Sequence, residues 1–186
     1  TYLLYALRSG DENGTVLGSR RVRRGIALGD RWFGFFDASD SGIGALVAHR
    51  LAAAGAIVLM TARSRDTLLD LAEDIRNSGG RAYVYAGNLT DMADCDRICQ
   101  EALRDHGHID ILINNAGRSI RRSIKFSFDR FHDYERTMQL NFFGAIRMAM
   151  NLLPGMLARN EGHIINVSTL GVQANPARFS AYLSSK

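Results

Sequence analysis

Trp32-Phe-Gly-Phe-Phe-Asp-Ala-Ser-Asp-Ser-Gly-Ile-Gly44 is an apolar β-type run that breaks into a short polar, glycine-bearing turn and then into a helical pattern. Such a strand-to-helix turn aims backbone amides and a helix N-terminus at an anion. Glycines at 42 and 44 allow the close approach that a pyrophosphate requires, and the position of the turn inside a β-α-β unit is what a dinucleotide-binding fold demands.

Outward from this turn, short apolar runs alternate with amphipathic segments, the pattern of a parallel sheet covered on both faces. Strands are expected over residues 32–36, 56–61, 81–86, 109–114 and 163–167. Between them lies a helix from the Gly42-Ile-Gly44 turn to Ala54, stopped by Gly55. A second has Ser64 as its N-cap and Leu68, Leu71, Ala72 and Ile75 on one face, and a third runs from about Asp91 to His106, closed by Gly107. A long helix is expected over 129–153, with Met138, Phe142, Ala145 and Ala149 as a core stripe and Pro154 marking its exit. The fold class is therefore α/β, a doubly wound parallel sheet.

At 186 residues and 46% hydrophobic content the chain fits one α/β domain. Residues 1–30 do not join the alternation and read as a linker or the tail of a preceding domain; 31–186 is the dinucleotide-binding domain. Thr1 in place of an initiator methionine and Lys186 as the last residue suggest that both ends are cut, the domain being incomplete at its C-terminus. The net charge of +4 is spread along the chain, which does not imply nucleic acid. No apolar run approaches the roughly 20 residues of a membrane span and no secretory signal is visible, so a soluble cytosolic protein is expected. Cys95 and Cys99, four apart on one helix, are expected in the core of a reduced protein, and the scattered histidines suggest no metal.

The chain ends Tyr182-Leu-Ser-Ser-Lys186. At that spacing a phenol and an ammonium share one helix face, and the cation favours the phenolate electrostatically, so that the hydroxyl can trade a proton with a carbonyl or alcohol oxygen. At the end of the second strand, Thr61-Ala-Arg63 puts positive charge where a carboxylate would otherwise grip a ribose. That favours a 2′-phosphate, hence NADPH over NADH.

With these residues together, the chain resembles the short-chain dehydrogenase/reductase family. The motifs are Gly42-Ile-Gly44, Asn88-Leu-Thr90, Asn114-Asn-Ala-Gly117, Asn141 in Asn-Phe-Phe-Gly, Asn166-Val-Ser-Thr169 and Tyr182-x-x-x-Lys186. A narrower similarity, to bacterial fatty acyl-CoA reductases of that family, rests on Asn114-Asn-Ala-Gly-Arg-Ser-Ile-Arg-Arg-Ser123, on Phe128-Asp-Arg-Phe-His-Asp-Tyr-Glu-Arg-Thr-Met-Gln-Leu-Asn141, and on Gly171-Val-Gln-Ala-Asn-Pro-Ala-Arg-Phe-Ser-Ala-Tyr182. Some of those reductases carry a second reductase-like domain first, which would make 1–30 an interdomain segment.

The resemblance implies reduction of a fatty acyl-CoA to an aldehyde, with NADPH as the cofactor. Tyr182 would be the general acid. Lys186 would tune it and hold the nicotinamide ribose, Asn141 would pin a water reaching that lysine, and Thr169, or Ser168 beside it, would orient the carbonyl. Ser41, Gly42, Ile43, Gly44 and Arg63 would meet the phosphates, Asn88 and Leu89 the adenine edge, and Asn115, Ala116 and Gly117 the adenosine side. Homo-oligomers are common in the family, through the long helices beside the active site. A ketone or 3-oxoacyl reductase or an alcohol dehydrogenase uses the same machinery.

Departures from the family pattern motivate a further alternative, a cofactor-impaired binding domain. Asp37 and Ala38 stand where Thr-Gly is usual, Asp40 adds a carboxylate near the phosphates, Asn88 replaces an aspartate and Thr169 a serine. Finally, Arg118, Arg121, Arg122 and Lys125 form a basic cluster after the fourth strand, expected to meet phosphates of CoA or NADPH.

Overall fold

The computed structural model describes residues 33–37 and 43–186, and the backbone but not the side chains of Phe36 and Asp37. Residues 1–30 lie outside the described residues, as do Ala38, Asp40, Ser41 and Gly42 of the phosphate turn.

Five parallel strands form one sheet in the order β3-β2-β1-β4-β5. They are β1 (Phe33–Asp37), β2 (Ile57–Thr61), β3 (Arg81–Val84), β4 (Ile111–Asn114) and β5 (His163–Asn166). The helices between them are α1 (Ile43–Ala53), α2 (Arg65–Asn77), α3 (Met92–His106), α4 (Phe131–Met138) and α5 (Ala145–Arg159), with short α6 (Gly171–Ala174) and α7 (Ser180–Ser184) after β5.

Alternation along each strand builds two cores. Ile57 and Leu59 of β2 pack with Phe35, Leu112, Ile98 of α3 and Met148 and Leu152 of α5. Val58 and Met60 face the other way, onto Ala48 and Ala52 of α1 and Leu68, Ala72 and Ile75 of α2. All five residues of β2 are buried, as a central strand with helices on both faces requires. Register is set by pairs such as Phe35 with both Leu59 and Leu112. The winding reverses between β1 and β4, so a crevice opens at their carboxyl ends, where ligands bind in such sheets.

The expected caps are present. The Ser64 hydroxyl accepts from the Thr67 amide at 3.4 Å, the Asp91 carboxylate from the Ala93 amide at 2.9 Å, and Gly107 ends α3 at φ 80°. Cys95 and Cys99 are free and fully buried. Burial pushes their thiols up, to about 11 and about 12.

The long helix differs from its expected form. It is α4 and α5 joined by a π-helical turn, Gln139–Gly144, and it passes through Pro154 to end at Asn160 with φ 53°. Burial of Met148, Leu152 and Met156 on either side of Pro154 offsets the roughly 3 kcal/mol that an internal proline costs. The wider π turn shifts the inward face. Thr137, Asn141, Gly144 and Met148 are buried, whereas Phe142, expected in the core stripe, is exposed. Gly144 allows the helix to approach the next layer: a Cβ there would run into the Leu89 carbonyl oxygen.

Candidate active site

The carboxyl ends of β4 and β5 converge on α7. Asn114 and Asn166, paired across those strands, share a hydrogen bond from Asn114 Nδ2 to Asn166 Oδ1 of 2.8 Å. Above them the ammonium of Lys186 donates to the Ala116 carbonyl at 3.2 Å and the Val167 carbonyl at 3.0 Å. It lies so close to Gly117 that a Cβ at that position would sit 3.1 Å from Nζ. Glycine there leaves room for the lysine between the two strand ends.

Asn141, buried in the π turn, joins three segments. Its Oδ1 accepts from the Arg118 amide at 2.8 Å, and its Nδ2 donates to the Arg118 carbonyl at 3.0 Å and to Ser185 Oγ at 2.8 Å. Ser185, itself buried, donates to the Tyr182 carbonyl at 2.7 Å. Both Nδ2 protons of Asn141 are thus taken by protein partners, which leaves the second lone pair of Oδ1 and the backbone for a water next to Lys186. Further support for α7 comes from α4, where Tyr134 donates its phenol proton to Ser180 Oγ at 2.8 Å.

The two candidate hydroxyls on the β5–α6 loop differ. Ser168 Oγ donates to the Lys186 carbonyl at 3.4 Å. Thr169 Oγ1 accepts from the Gly171 amide at 3.2 Å, and its own proton has no acceptor among the described residues. Thr169 is therefore the hydroxyl with a donor to offer.

Beside this cluster is a cavity of about 690 Å³. Its walls include Thr61, Ala62 and Arg63 from the end of β2, Asn88 and Leu89 after β3, and Ala116, Gly117 and Arg118 after β4. Arg63 is exposed at the rim and Leu89 is buried. Thr61 is 1% exposed, yet its hydroxyl has no partner among the described residues. Asn88 Oδ1 accepts from both the Thr90 amide (3.2 Å) and the Thr90 hydroxyl (2.9 Å). Both lone pairs of this amide oxygen serve the turn, and what Asn88 has left for a ligand is the Nδ2 donor. Ile43 is exposed and Gly44 buried in the first turn of α1. Asn115 is half-buried.

The basic cluster after β4 divides. Arg122 pairs with buried Asp133 at 2.9 Å, and Arg130 approaches the same carboxylate at 3.5 Å. Burial pushes the Asp133 carboxyl up, but the Arg122 guanidinium and its neighbours hold it below the ordinary carboxylate range. The Arg121 guanidinium lies 5.9 Å from the Phe179 ring and the Lys125 ammonium 5.0 Å from the Phe126 ring, while Arg118 reaches the cavity. Arg122 is thus a structural ion pair rather than a free phosphate ligand. Sequence reasoning missed Ser185, Asn166 and the cavity wall contributed by Arg136 and Gln139 of the α4 region. The Ser185 hydroxyl was visible inside the Tyr-Leu-Ser-Ser-Lys motif, but nothing in the spacing separated it from Ser184.

Residues 38–186 match the family model described as short chain dehydrogenase. The chain belongs to the short-chain dehydrogenase family. Among this short-chain dehydrogenase's relatives, a fatty acyl-CoA reductase of Acinetobacter baylyi is 54% identical over 148 residues, which cover 80% of the chain and 50% of that protein. A fatty acyl-CoA reductase of Mycobacterium tuberculosis is 45% identical over 150 residues, 80% of the chain and 51% of the relative. Of solved structures, a metagenomic short-chain oxidoreductase in complex with NADP aligns with a TM-score of 0.78 at 28% identity, over 83% of this chain and 70% of that one. The chain spans about half the length of the curated relatives it matches.

Proposed function

We propose that this short-chain dehydrogenase reduces a fatty acyl-CoA thioester to the fatty aldehyde with NADPH. The observation that carries the reading is that Lys186, which follows the helix bearing Tyr182, is held by the Ala116 and Val167 carbonyls and shares a cavity wall with Asn141 and Ser168, close to the Arg63-rimmed cavity, in a segment similar to two fatty acyl-CoA reductases.

The residues fit the cofactor. The cavity opens at the carboxyl ends of β2, β3 and β4, the orphaned Thr61 hydroxyl offers a donor, and Arg63 offers charge for a 2′-phosphate. Asn88, Leu89 and Ala116 line the same cavity, and the reading assigns Ser41, Gly42, Ile43, Gly44 and Asn115 to the cofactor as well. When bound, NADPH supplies hydride to the thioester carbonyl carbon.

The chain's residues handle the oxygen and the proton. Thr169 donates a hydrogen bond to the carbonyl oxygen and fixes its direction, and Tyr182 protonates that oxygen as negative charge develops on it. Lys186, held by the Ala116 and Val167 carbonyls, stabilises the phenolate that results. Asn141 and Ser185 hold the catalytic helix in place against the Arg118 backbone. Proton return from the thiohemiacetal hydroxyl to Tyr182 accompanies its collapse, in which the C–S bond breaks and CoA leaves as the thiolate, which takes its proton from water.

The two buried free thiols suit a reducing cytosol. The apolar outer stripe that runs from Phe143 of the π turn into α5, with Ile146, Met150 and Leu157 also exposed, suits a homo-oligomer.

The test is NADPH oxidation at 340 nm by the full-length protein with long-chain acyl-CoA, trapping the aldehyde as a hydrazone. Aldehyde formed in step with NADPH loss supports the reading. Turnover of a 3-oxoacyl thioester or a ketone, with none of an acyl-CoA, would replace it by the ketone-reductase alternative, and failure to bind any nicotinamide cofactor would favour the cofactor-impaired one.

A further inference from the structure

We propose that the β4–α4 connection is a docking surface for an anionic lipid bilayer. Within eight residues it exposes four large apolar side chains: Ile124 at 58%, Phe126 at 63%, Phe128 at 86% and Phe131 at 73%. A single 3-10 turn, Ile124–Phe126, an irregular segment and the first residue of α4 present them, in place of a flat helical face. Such an arrangement offers separate wedges rather than a continuous seam for another helix.

Cations are interleaved with the wedges. Lys125 stands over the Phe126 ring, Arg121 is exposed, and Arg130 borders the patch. The buried carboxylate beneath, Asp133, is neutralised by Arg122 and Arg130, so exposed Asp129 is the acidic group left to oppose them on this segment. Aromatic rings next to ammonium and guanidinium groups match the bilayer interface, where rings enter at headgroup level and cations meet lipid phosphates. The exposed stripe on α5 is different. Its one cation, Arg147, is engaged with Asp96, and it is otherwise apolar, which suits a protein surface.

The patch is tied to the catalytic segment. The Arg122 amide donates to the Arg178 carbonyl at 2.7 Å, Arg121 packs over Phe179, and Tyr134, stacked on Phe131, bonds to Ser180. A membrane seated on these residues would lie next to the mouth of the site. The inference does not rest on the acyl-CoA reading, since it concerns the surface and not the substrate.

The test is co-sedimentation of the full-length protein with vesicles of phosphatidylcholine alone and of phosphatidylcholine with phosphatidylglycerol. Binding to the anionic vesicles is expected, falling at least about tenfold for Phe126→Ser with Phe128→Ser, for Lys125→Glu, and on phosphatidylcholine alone. The melting temperature of each variant should stay at the parent value, because these side chains are exposed. Absence of binding by the unaltered protein, or equal binding by the double-serine variant, would overturn the proposal. So would a change in oligomeric mass without a change in vesicle binding, which would assign the patch to a second copy.

Discussion

The side-chain amide of Asn141 donates to the hydroxyl of Ser185 at 2.8 Å, and through that hydroxyl it reaches the carbonyl of Tyr182. Two residues 44 apart in sequence thus join the π turn to the end of α7. Ser185→Ala removes the middle of this relay, leaves the Asn141 amide with one partner fewer, and frees α7 to drift against the strand ends. A loss of about tenfold in kcat is expected, corresponding to about 1.4 kcal/mol, with NADPH affinity changed less than about threefold. Steady-state kinetics and a cofactor titration separate the two effects. An unchanged kcat would mean that Ser185 merely fills space.

In the proposed reaction Arg63 would set the choice of cofactor. A charge-assisted bond from a guanidinium to a phosphate contributes on the order of 2 kcal/mol, so Arg63→Ala should weaken NADPH binding by roughly 30-fold and leave NADH nearly unaffected. Fluorescence titration with both nucleotides checks this. Parallel losses for the two would show that Arg63 supports the cavity and not the 2′-phosphate.

The sheet was legible because its strands are buried on both faces, so apolar runs such as Ile57–Thr61 stand out between capped helices. Ser64, Asp91 and Gly107 act locally, and local chemistry is visible in sequence. The π turn was not. Its extra residue depends on what Asn141 and Gly144 meet across the fold, namely Arg118, Ser185 and the Leu89 carbonyl, none of them near in sequence. The same holds for Pro154, tolerated because buried neighbours hold the helix on both sides, and for Arg122, whose partner Asp133 is set by the docking of α4. The motif residues 114–117, 166–169 and 182–186 do meet at one sheet edge, through Lys186 and the Asn114–Asn166 pair.

Both thiols should be silent in the native protein. With Cys95 pushed up to about 11 and Cys99 to about 12 by burial, almost no thiolate exists at neutral pH, and neither sulfur is accessible. Titration with a disulfide reagent should therefore register these two cysteines only after denaturation. Rapid native labelling at either position would indicate that α3 opens from the core.

His106 makes stability depend on pH. Burial lowers its affinity for a proton below the ordinary histidine value, with Asp105 opposing the shift, and its Nε2 lies 2.8 Å from the Tyr85 hydroxyl. The unfolded chain therefore takes up the proton first as pH falls. This contribution to stability is complete above about pH 6.5 and is lost progressively as pH drops through 6.5 toward the lower folded-state value. Between pH 7.5 and 5.5 the melting temperature should fall by up to about 3 °C more in the parent than in His106→Gln. Identical slopes would assign the pH dependence to other groups.

The outer face of α5, with Phe143 of the π turn before it, should be an interface between copies of the chain. Phe143, Ile146, Met150 and Leu157 are spaced 3, 4 and 7 residues apart, one stripe of a helix, and each is more than 40% exposed. The guanidinium of Arg147 is held by Asp96, with Nε 2.6 Å from Oδ1, and so lends the stripe no free charge. Two such stripes packed together would bury apolar surface that water otherwise covers, whereas a carboxylate in the middle would be desolvated without a partner. Met150→Glu should therefore turn an oligomer into a monomer, read as molar mass by light scattering. Its circular dichroism should not change, because Met150 is 61% exposed within one copy. A monomeric parent protein, or a variant of unchanged mass, would remove this face as the site of assembly.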